Sequence, residues 1–205
     1  MRSFLILAAA FLCSTAQAAG IGLRAGTTGI GADFGWGILP TLGGRIGISG
    51  GSVSTDAETT DIDYDAKLKL SNVNAFLDWS PLGPFRITGG FIANNNKVDL
   101  TGRPRSTTTF PAGSTLTGTV KPERDLAPYL GIGWGNVWTK GVNFYVDLGV
   151  VFQGEPQVDL SLSCPPSPQC TSAQAQVAAE ERRVQVEVKR FKYYPVLNIG
   201  ITIGF

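Results

Sequence analysis

Residues 193–205, at the end of the chain, read YYPVLNIGITIGF. From Leu197 on, every second residue is large and apolar: Leu197, Ile199, Ile201, Ile203 and Phe205. Asn198, Gly200, Thr202 and Gly204 stand between them. A period of two is the mark of a β-strand, because successive side chains point to opposite faces. One face of this strand is wholly apolar; the other is small and uncharged. The pattern recurs through the body. In residues 142–152, Val142, Phe144, Val146, Leu148, Val150 and Phe152 oppose Asn143, Tyr145, Asp147, Gly149 and Val151. In residues 29–38, Ile30, Ala32, Phe34, Trp36 and Ile38 oppose Asp33 and four glycines.

Eight segments of this kind can be drawn, roughly 20–27, 29–39, 43–54, 63–80, 84–100, 117–136, 141–162 and 182–205. Their connections alternate in kind. Residues 40–43, 81–84 and 137–141 form short turns, whereas 55–62, 101–116 and 163–181 are longer and polar. The first connection, Thr27-Thr28-Gly29, is short where a long loop is expected; the other reading is one continuous strand over 20–38. Two segments break parity. Leu68 and Leu70 lie on the face opposite Val73, Ala75, Leu77 and Trp79. Val184, Val186 and Val188 lie opposite Phe191, Tyr193 and Leu197. A bulge would do this; so would a strand that leaves its apolar surroundings and continues as an exposed extension, which is the expectation adopted.

An apolar face can pack on a second sheet or face lipid. Three features favour lipid. The regular runs have the ~9–11 residues of a tilted strand crossing a bilayer. The opposite face is small and sparsely charged. Short turns alternate with long loops. Closure is then obligatory, since an open edge in lipid leaves backbone groups unpaired. The fold class expected is all-β: a closed antiparallel transmembrane β-barrel of eight strands, with short periplasmic turns and longer extracellular loops. Trp79, Phe85 and Trp138 are placed near one membrane boundary, and Tyr193 and Tyr194 near the other.

Composition agrees. The 205-residue chain is 43% hydrophobic but only 16% charged, and holds 26 glycines. Its first residues, MRSFLILAAAFLCSTAQA, carry Arg2, a short apolar core and an Ala-Gln-Ala site. That pattern reads as a signal peptide over 1–18, cleaved to leave a barrel domain over 19–205. The other reading, an anchoring helix, has too short an apolar core. Cleavage removes Arg2 and no acid, leaving 16 basic residues against 16 acidic. Such a balance gives no reason to expect a nucleic-acid partner. It also removes Cys13, so Cys164 and Cys170 remain in CPPSPQC, and export favours a disulfide between them. A metal site is the poorer reading, with no His and no second Cys pair.

On the signal, the alternating strands and the closing NIGITIGF, the chain resembles the small outer-membrane β-barrel proteins of Gram-negative bacteria, the OmpA/OmpX/OmpW-like group. PYLGIGWG (128–135) and FLDWSP (76–81) are similar to recurrent pieces of that group. The resemblance spans the whole segment after the signal, but its motifs are short. It implies a Gram-negative outer-membrane location, contact with outer-membrane lipid and lipopolysaccharide, and recognition by the outer-membrane assembly machinery. In that group a C-terminal Phe with alternating apolar residues is the assembly signal. Leu197, Ile199, Ile201, Ile203 and Phe205 would carry it here.

If the apolar faces meet lipid, parity sends Arg24, Asp33, Arg45, Asp78, Arg86 and Asp147 inward. Three positive and three negative charges in a dry interior must pair with one another. Eight strands enclose space that side chains can fill. A polar plug is the first expectation, and a narrow path for small solutes the second. The absence of His argues against an enzyme; by the same resemblance, the known small-barrel enzymes depend on an active-site histidine. No cofactor is expected. Asp56, Glu58, Asp61, Asp63 and Asp65 form an acidic loop that could hold a divalent cation, though a solvated loop is the simpler reading. Lys97, Arg103, Arg105, Lys189, Arg190 and Lys192 would reach lipopolysaccharide phosphates from a basic rim. Unchanged lipopolysaccharide binding after their removal would exclude that. The function expected is non-enzymatic: a monomer with a structural or interaction role at the surface, in envelope integrity or adhesion. The alternative is a narrow channel or transporter for small, hydrophobic solutes.

Overall fold

A computed structural model of the protein describes residues 18–58, 62–104, 111 and 113–205. Residues 1–17 of the expected signal, Asp61 and Arg105 lie outside the described residues. The elements, in chain order, are β1 (Ala19–Gly26), β2 (Gly29–Leu39), β3 (Leu42–Glu58), β4 (Ile62–Leu82), β5 (Phe85–Asn94), β6 (Lys97–Pro104), β7 (Thr115–Lys121), β8 (Leu126–Trp134), β9 (Gly141–Phe152), β10 (Gln157–Ser163), a helix α1 (Pro168–Val188), a 3-10 turn (Lys189–Lys192) and β11 (Tyr193–Gly204).

Eight strands close a ring, in the order β1, β2, β3, β4, β5, β8, β9, β11 and back to β1. All its pairings are antiparallel. The last strand closes on the first, Ile21 beside Ile203 and Leu23 beside Ile201. The connection at Thr27 and Thr28 is a true hairpin, with Gly26 facing Gly29. Gly29 has φ +93, a left-handed conformation that glycine adopts without a Cβ clash. The apolar face of each ring strand points outward; Leu23, Ile48, Phe144 and Ile199 are more than half exposed on it. No helix of the described residues is long and apolar enough to cross a membrane. The strands do the crossing.

Three of the long segments split in two. After residues 95–96, 122–125 and 153–156 the chain changes partners. The lower pieces β5, β8 and β9 stay in the ring. The upper pieces β6, β7 and β10 join the upper part of β4 in a sheet ordered β3, β4, β6, β7, β10. The β3–β4 register runs unbroken from Leu42 beside Trp79 to Glu58 beside Asp63. The parity change at Leu68 and Leu70 is therefore an extension and no bulge. Within lipid the apolar side must face out; above it, the apolar side turns to the other face of the sheet. There Leu68, Val98, Val120 and Val158 stand in one row across four strands.

The second parity break has another cause, and corrects the strand expected over 182–205. Residues 182–188 end α1, and only Tyr193 onward is strand. The Val184–Val188 alternation mimics a strand, but the helical spacing of Ala173 and Val177 puts both against Leu162 and its neighbours, with Cys170 buried one turn earlier. Ser167 caps the helix, its side chain accepting from the Cys170 N–H at 3.1 Å, and Pro168 opens it. The Cys164–Cys170 disulfide ties the helix start to the end of β10, with Cα atoms 5.9 Å apart.

The helix has a further task. β10 ends the sheet, and an unpaired edge needs cover. Glu181 accepts from the Leu160 N–H at 3.0 Å and Gln185 from the Val158 N–H at 2.9 Å. Gln185 also donates to the Pro156 carbonyl at 2.7 Å, and Gln174 to that of Leu162 at 3.3 Å. The α1 side chains thus stand where another strand would. Replacing Glu181 and Gln185 together by Ala is expected to speed amide exchange at Val158 and Leu160 about fivefold, since each lost bond is worth ~1 kcal/mol. Unchanged exchange would show that the helix merely rests on the sheet.

Candidate functional site

The interior comes first. Alternation along the ring strands aims Arg24, Asp33, Arg45, Asp78, Arg86 and Asp147 at the axis, and all six are buried. Arg45 is the hub. Its Nε lies 3.0 Å from Asp78 Oδ2 and its Nη1 lies 2.8 Å from Asp147 Oδ2. A second bond, Nη2 to Asp147 Oδ1 at 3.1 Å, makes the Asp147 contact bidentate. Asp33 is 3.8 Å from the same guanidinium. Arg86 bonds Asp147 through Nη2, and its Nε lies 3.3 Å from Asp78 Oδ1. Arg24 lies 3.5 Å from Asp33 and donates to Asn74 Oδ1 at 2.6 Å. Tyr145 donates to Asp33 at 2.6 Å and Thr88 to Asp78 at 2.5 Å. The cluster is neutral, and its carboxylates are held by several donors each. That is the condition under which buried charges are tolerated.

Aromatic rings fill what remains. Arg45 stacks 5.1 Å from the Phe76 centroid and 5.6 Å from that of Tyr145. The room comes from glycine. A Cβ on Gly200 would overlap the Tyr145 ring, and one on Gly149 or Gly131 the Tyr129 hydroxyl. Sequence parity finds these glycines on the inner face, but which ring each accommodates depends on the neighbouring strand.

Side chains lie across both mouths. On the outer side Phe76, Ile92, Ala127, Tyr129, Val151 and Val196 form an apolar layer. Above it Thr28 donates to Asn198 at 3.0 Å, Asn94 to Gln153 at 3.1 Å, and Tyr194 to the Thr27 carbonyl at 2.6 Å. On the periplasmic side the β8–β9 turn folds inward. Val137 is fully buried and packs with Trp138 and Tyr145. Trp138 therefore corrects an expectation. It is no boundary residue but a stopper, seated over Gly43 and Gly37, where a Cβ would meet its ring. Tyr194 likewise points to the interior layer, while Trp79 and Tyr193 are half exposed outside. The stopper was hidden because a short turn gives no periodicity. The ring of small residues at Gly20, Gly35, Gly43 and Gly204 around it was the one available signal.

No protein-family model matches the chain, and no curated protein does. Among solved structures, CarO of Acinetobacter baumannii matches with TM-score 0.63 at 24% identity, over 91% of this chain and 97% of that one. CarO2 of the same organism matches with TM-score 0.64 at 20% identity, over 93% and 100%. The fold is that of an outer-membrane β-barrel. A major outer membrane protein from Thermus thermophilus matches over 93% of this chain and 100% of that one at 15% identity, but at TM-score 0.44 it adds nothing to the argument. At these identities the likeness speaks for the fold. With the apolar outer belt, that fold has its place in an outer membrane.

The remaining sequence candidates lie outside the interior. Leu197, Ile199, Ile201, Ile203 and Phe205 line the lipid face at the end of the chain, each at least two-fifths exposed. The basic rim divides in two. Lys97 and Arg103 stand on β6; Lys189, Arg190 and Lys192 stand on the 3-10 turn before β11. β7, β8, β9, β10 and α1 intervene in chain order. Lys97 lies 3.9 Å from Asp99, which Lys69 also holds at 2.7 Å, and that hydrogen bond keeps the Asp99 carboxyl below its ordinary pKa. Lys189 lies 3.4 Å from Glu155, and Lys192 sits 5.2 Å from the Tyr193 ring centroid. Among the described residues no group of three or more His, Cys, Asp or Glu could hold a metal ion.

Proposed function

We propose that this chain is a non-conducting, non-enzymatic outer-membrane barrel whose work is done by the extracellular sheet. The observation that carries this reading is the filled interior: six paired charges, closed above by the Phe76–Tyr129 layer and below by Val137 and Trp138. A barrel built this way is a membrane-anchored pedestal. The sheet of β3, β4, β6, β7 and β10, with α1 against it, is what it presents to the outside.

Planar-bilayer recording tests the reading. Purified protein is expected to give no reproducible unitary conductance. Removing the stopper with Trp138→Ala is expected to leave the bilayer silent, because the Arg45 cluster still blocks the axis. Reproducible single channels from the native chain would overturn the proposal.

One feature supports passage of a small hydrophobic solute as the second reading. An apolar recess of about 120 Å³ opens at the outer mouth, lined by Leu68, Leu70, Val98, Val120, Pro122 and Tyr194. It ends on Gln153, whose amide is committed to Asn94 and to the Phe191 carbonyl. None of the residues that line it belongs to the charged cluster below, which is why the pedestal is preferred.

A further inference from the structure

The lipid face of β4 carries on above the ring. Its register with β3 has no shift from Trp79 to Asp63, so the parity of Leu77 and Val73 runs upward through Ser71 to Lys69 and Lys67. Val73 and Leu77 are more than half exposed on that face. Lys69 stands four residues above Val73, about 13 Å along the strand and about 10 Å in height at the usual tilt. The β4–β6 register puts Lys97 directly beside Lys69. One step beyond Val98 beside Val120, Lys121 takes the same level on β7. Three lysines thus stand abreast at the foot of the upper sheet, on the side that continues the lipid belt. Like charges directly opposite are destabilising. Among the described residues, Asp99 is the one carboxylate that meets them, 2.7 Å from Lys69 and 3.9 Å from Lys97. Lys121 has no ion-pair partner among the described residues; Asp159 of β10 stands beside Thr119, one row higher. Three positive charges against one negative leave the row short of anions.

Below this row the belt has a hollow. Leu23, Ala32, Ile48 and Val73 lie in one row across β1, β2, β3 and β4. Ala32 is the smallest of the four and stands between two large neighbours. An apolar hollow of about 670 Å³ opens there on the outer surface, lined also by Phe34 and Ile201. Val73 belongs to both features, since it rims the hollow and stands on β4 below Lys69. A place in an outer membrane puts acyl chains against this face. Chains in the hollow and phosphates on the lysines belong to one molecule when that molecule is a phosphorylated lipid of the outer leaflet. The width of the row chooses among such lipids. Three strands abreast span about 10 Å, room for two phosphates. Lipid A, the anchor of lipopolysaccharide, carries two phosphates over one set of chains; an ordinary glycerophospholipid carries one.

We propose that the Lys69–Lys97–Lys121 row and the hollow over Ala32 form one binding site for lipid A. The lysines hold its phosphates by charge-assisted hydrogen bonds, and the hollow seats an acyl chain. This is not the basic rim expected from the sequence. Only Lys97 is common to both, and Lys189, Arg190 and Lys192 stand elsewhere, on the 3-10 turn. The site rests on the upper sheet facing the cell exterior, as the long loops of such barrels do. It does not rest on the pedestal reading, since a conducting barrel could hold the same lipid.

The test titrates lipid A into the full chain, purified in a neutral detergent, and reads binding by native mass spectrometry. Saturable binding of one lipid A per chain is expected. Fully dephosphorylated lipid A should bind at least tenfold more weakly, and phosphatidylglycerol, with its single phosphate, severalfold more weakly. Lys69→Gln with Lys97→Gln and Lys121→Gln should weaken lipid A binding at least tenfold. Ala32→Trp, which fills the hollow and removes no charge, should weaken it severalfold. Lys189→Gln with Arg190→Gln and Lys192→Gln should leave it within about twofold of native. Heat-modifiable gel mobility reports whether each variant is folded. If the first triple variant is not, Lys121→Gln decides, because that side chain is exposed and unpaired among the described residues; about threefold weaker binding is expected. Equal binding of lipid A and its dephosphorylated form would overturn the proposal, as would a loss that follows the 3-10 turn and spares the lysine row. Native affinity in Ala32→Trp would take the hollow out of the site and overturn it as stated. Displacement of lipid A by an equal concentration of inorganic phosphate would make the row a site for free phosphate and also overturn it.

Discussion

Arg45→Met is expected to cost about 3–5 kcal/mol, the range for removing one partner of a buried ion pair. Among the described residues, Arg45 is the only cation within reach of three aspartates at once: Asp78 at 3.0 Å, Asp147 at 2.8 Å and Asp33 at 3.8 Å. Its loss leaves three carboxylates to Arg24 and Arg86, in an interior from which water is excluded. The urea midpoint of the unboiled, folded band, read in detergent, measures the effect. Arg45→Lys should fall between native and Met, because an ammonium keeps the charge but cannot bond Asp78 and Asp147 as a planar fork. Adding Asp78→Asn to Arg45→Met restores neutrality and should recover part of the loss, a coupling that a double-mutant cycle isolates. A native midpoint for Arg45→Met would mean that the cluster contributes nothing to the barrel.

Gly200→Val is expected to destabilise by about 3 kcal/mol, the upper end of the overpacking range. The added Cβ would overlap both the Tyr145 ring and the Leu23 carbonyl. Tyr145 cannot yield, since its hydroxyl is bonded to Asp33 at 2.6 Å and Arg45 and Arg86 stand 5.6 and 5.7 Å from its centroid. Gly89→Ala is the matched control. It lies on the ring strand β5, where nothing stands within 4 Å of a Cβ, and its midpoint should stay within about 0.5 kcal/mol of native. If both variants behaved alike, the glycines would reflect strand flexibility and not packing room. The two results together separate the electrostatic and the steric parts of one interior.

Most of the ring was legible in the chain itself, and the reason is local. Side-chain alternation is a property of a single strand, so parity alone could send Arg24, Asp33, Arg45, Asp78, Arg86 and Asp147 to one face and Leu197 through Phe205 to the other. Hairpin closure followed from turn length, except at Thr27–Thr28, where Gly29 had to be seen at positive φ. The helix was misread because VQVEV satisfies period two by accident. What made it helical is contact with Leu162 and the need to cover β10, neither of which is local.

Closure into a lipid-facing barrel with its charges inside is thus written into the linear chain, since β-periodicity needs no partner to be read. Who pairs with whom is not. Arg45 and Asp147 are 102 positions apart, and their meeting depends on the stagger of strands around the ring. The same holds for the Trp138 stopper and for the helix that covers one edge. An edge is open or closed by what lies beside it, and that is set by how far neighbouring strands reach.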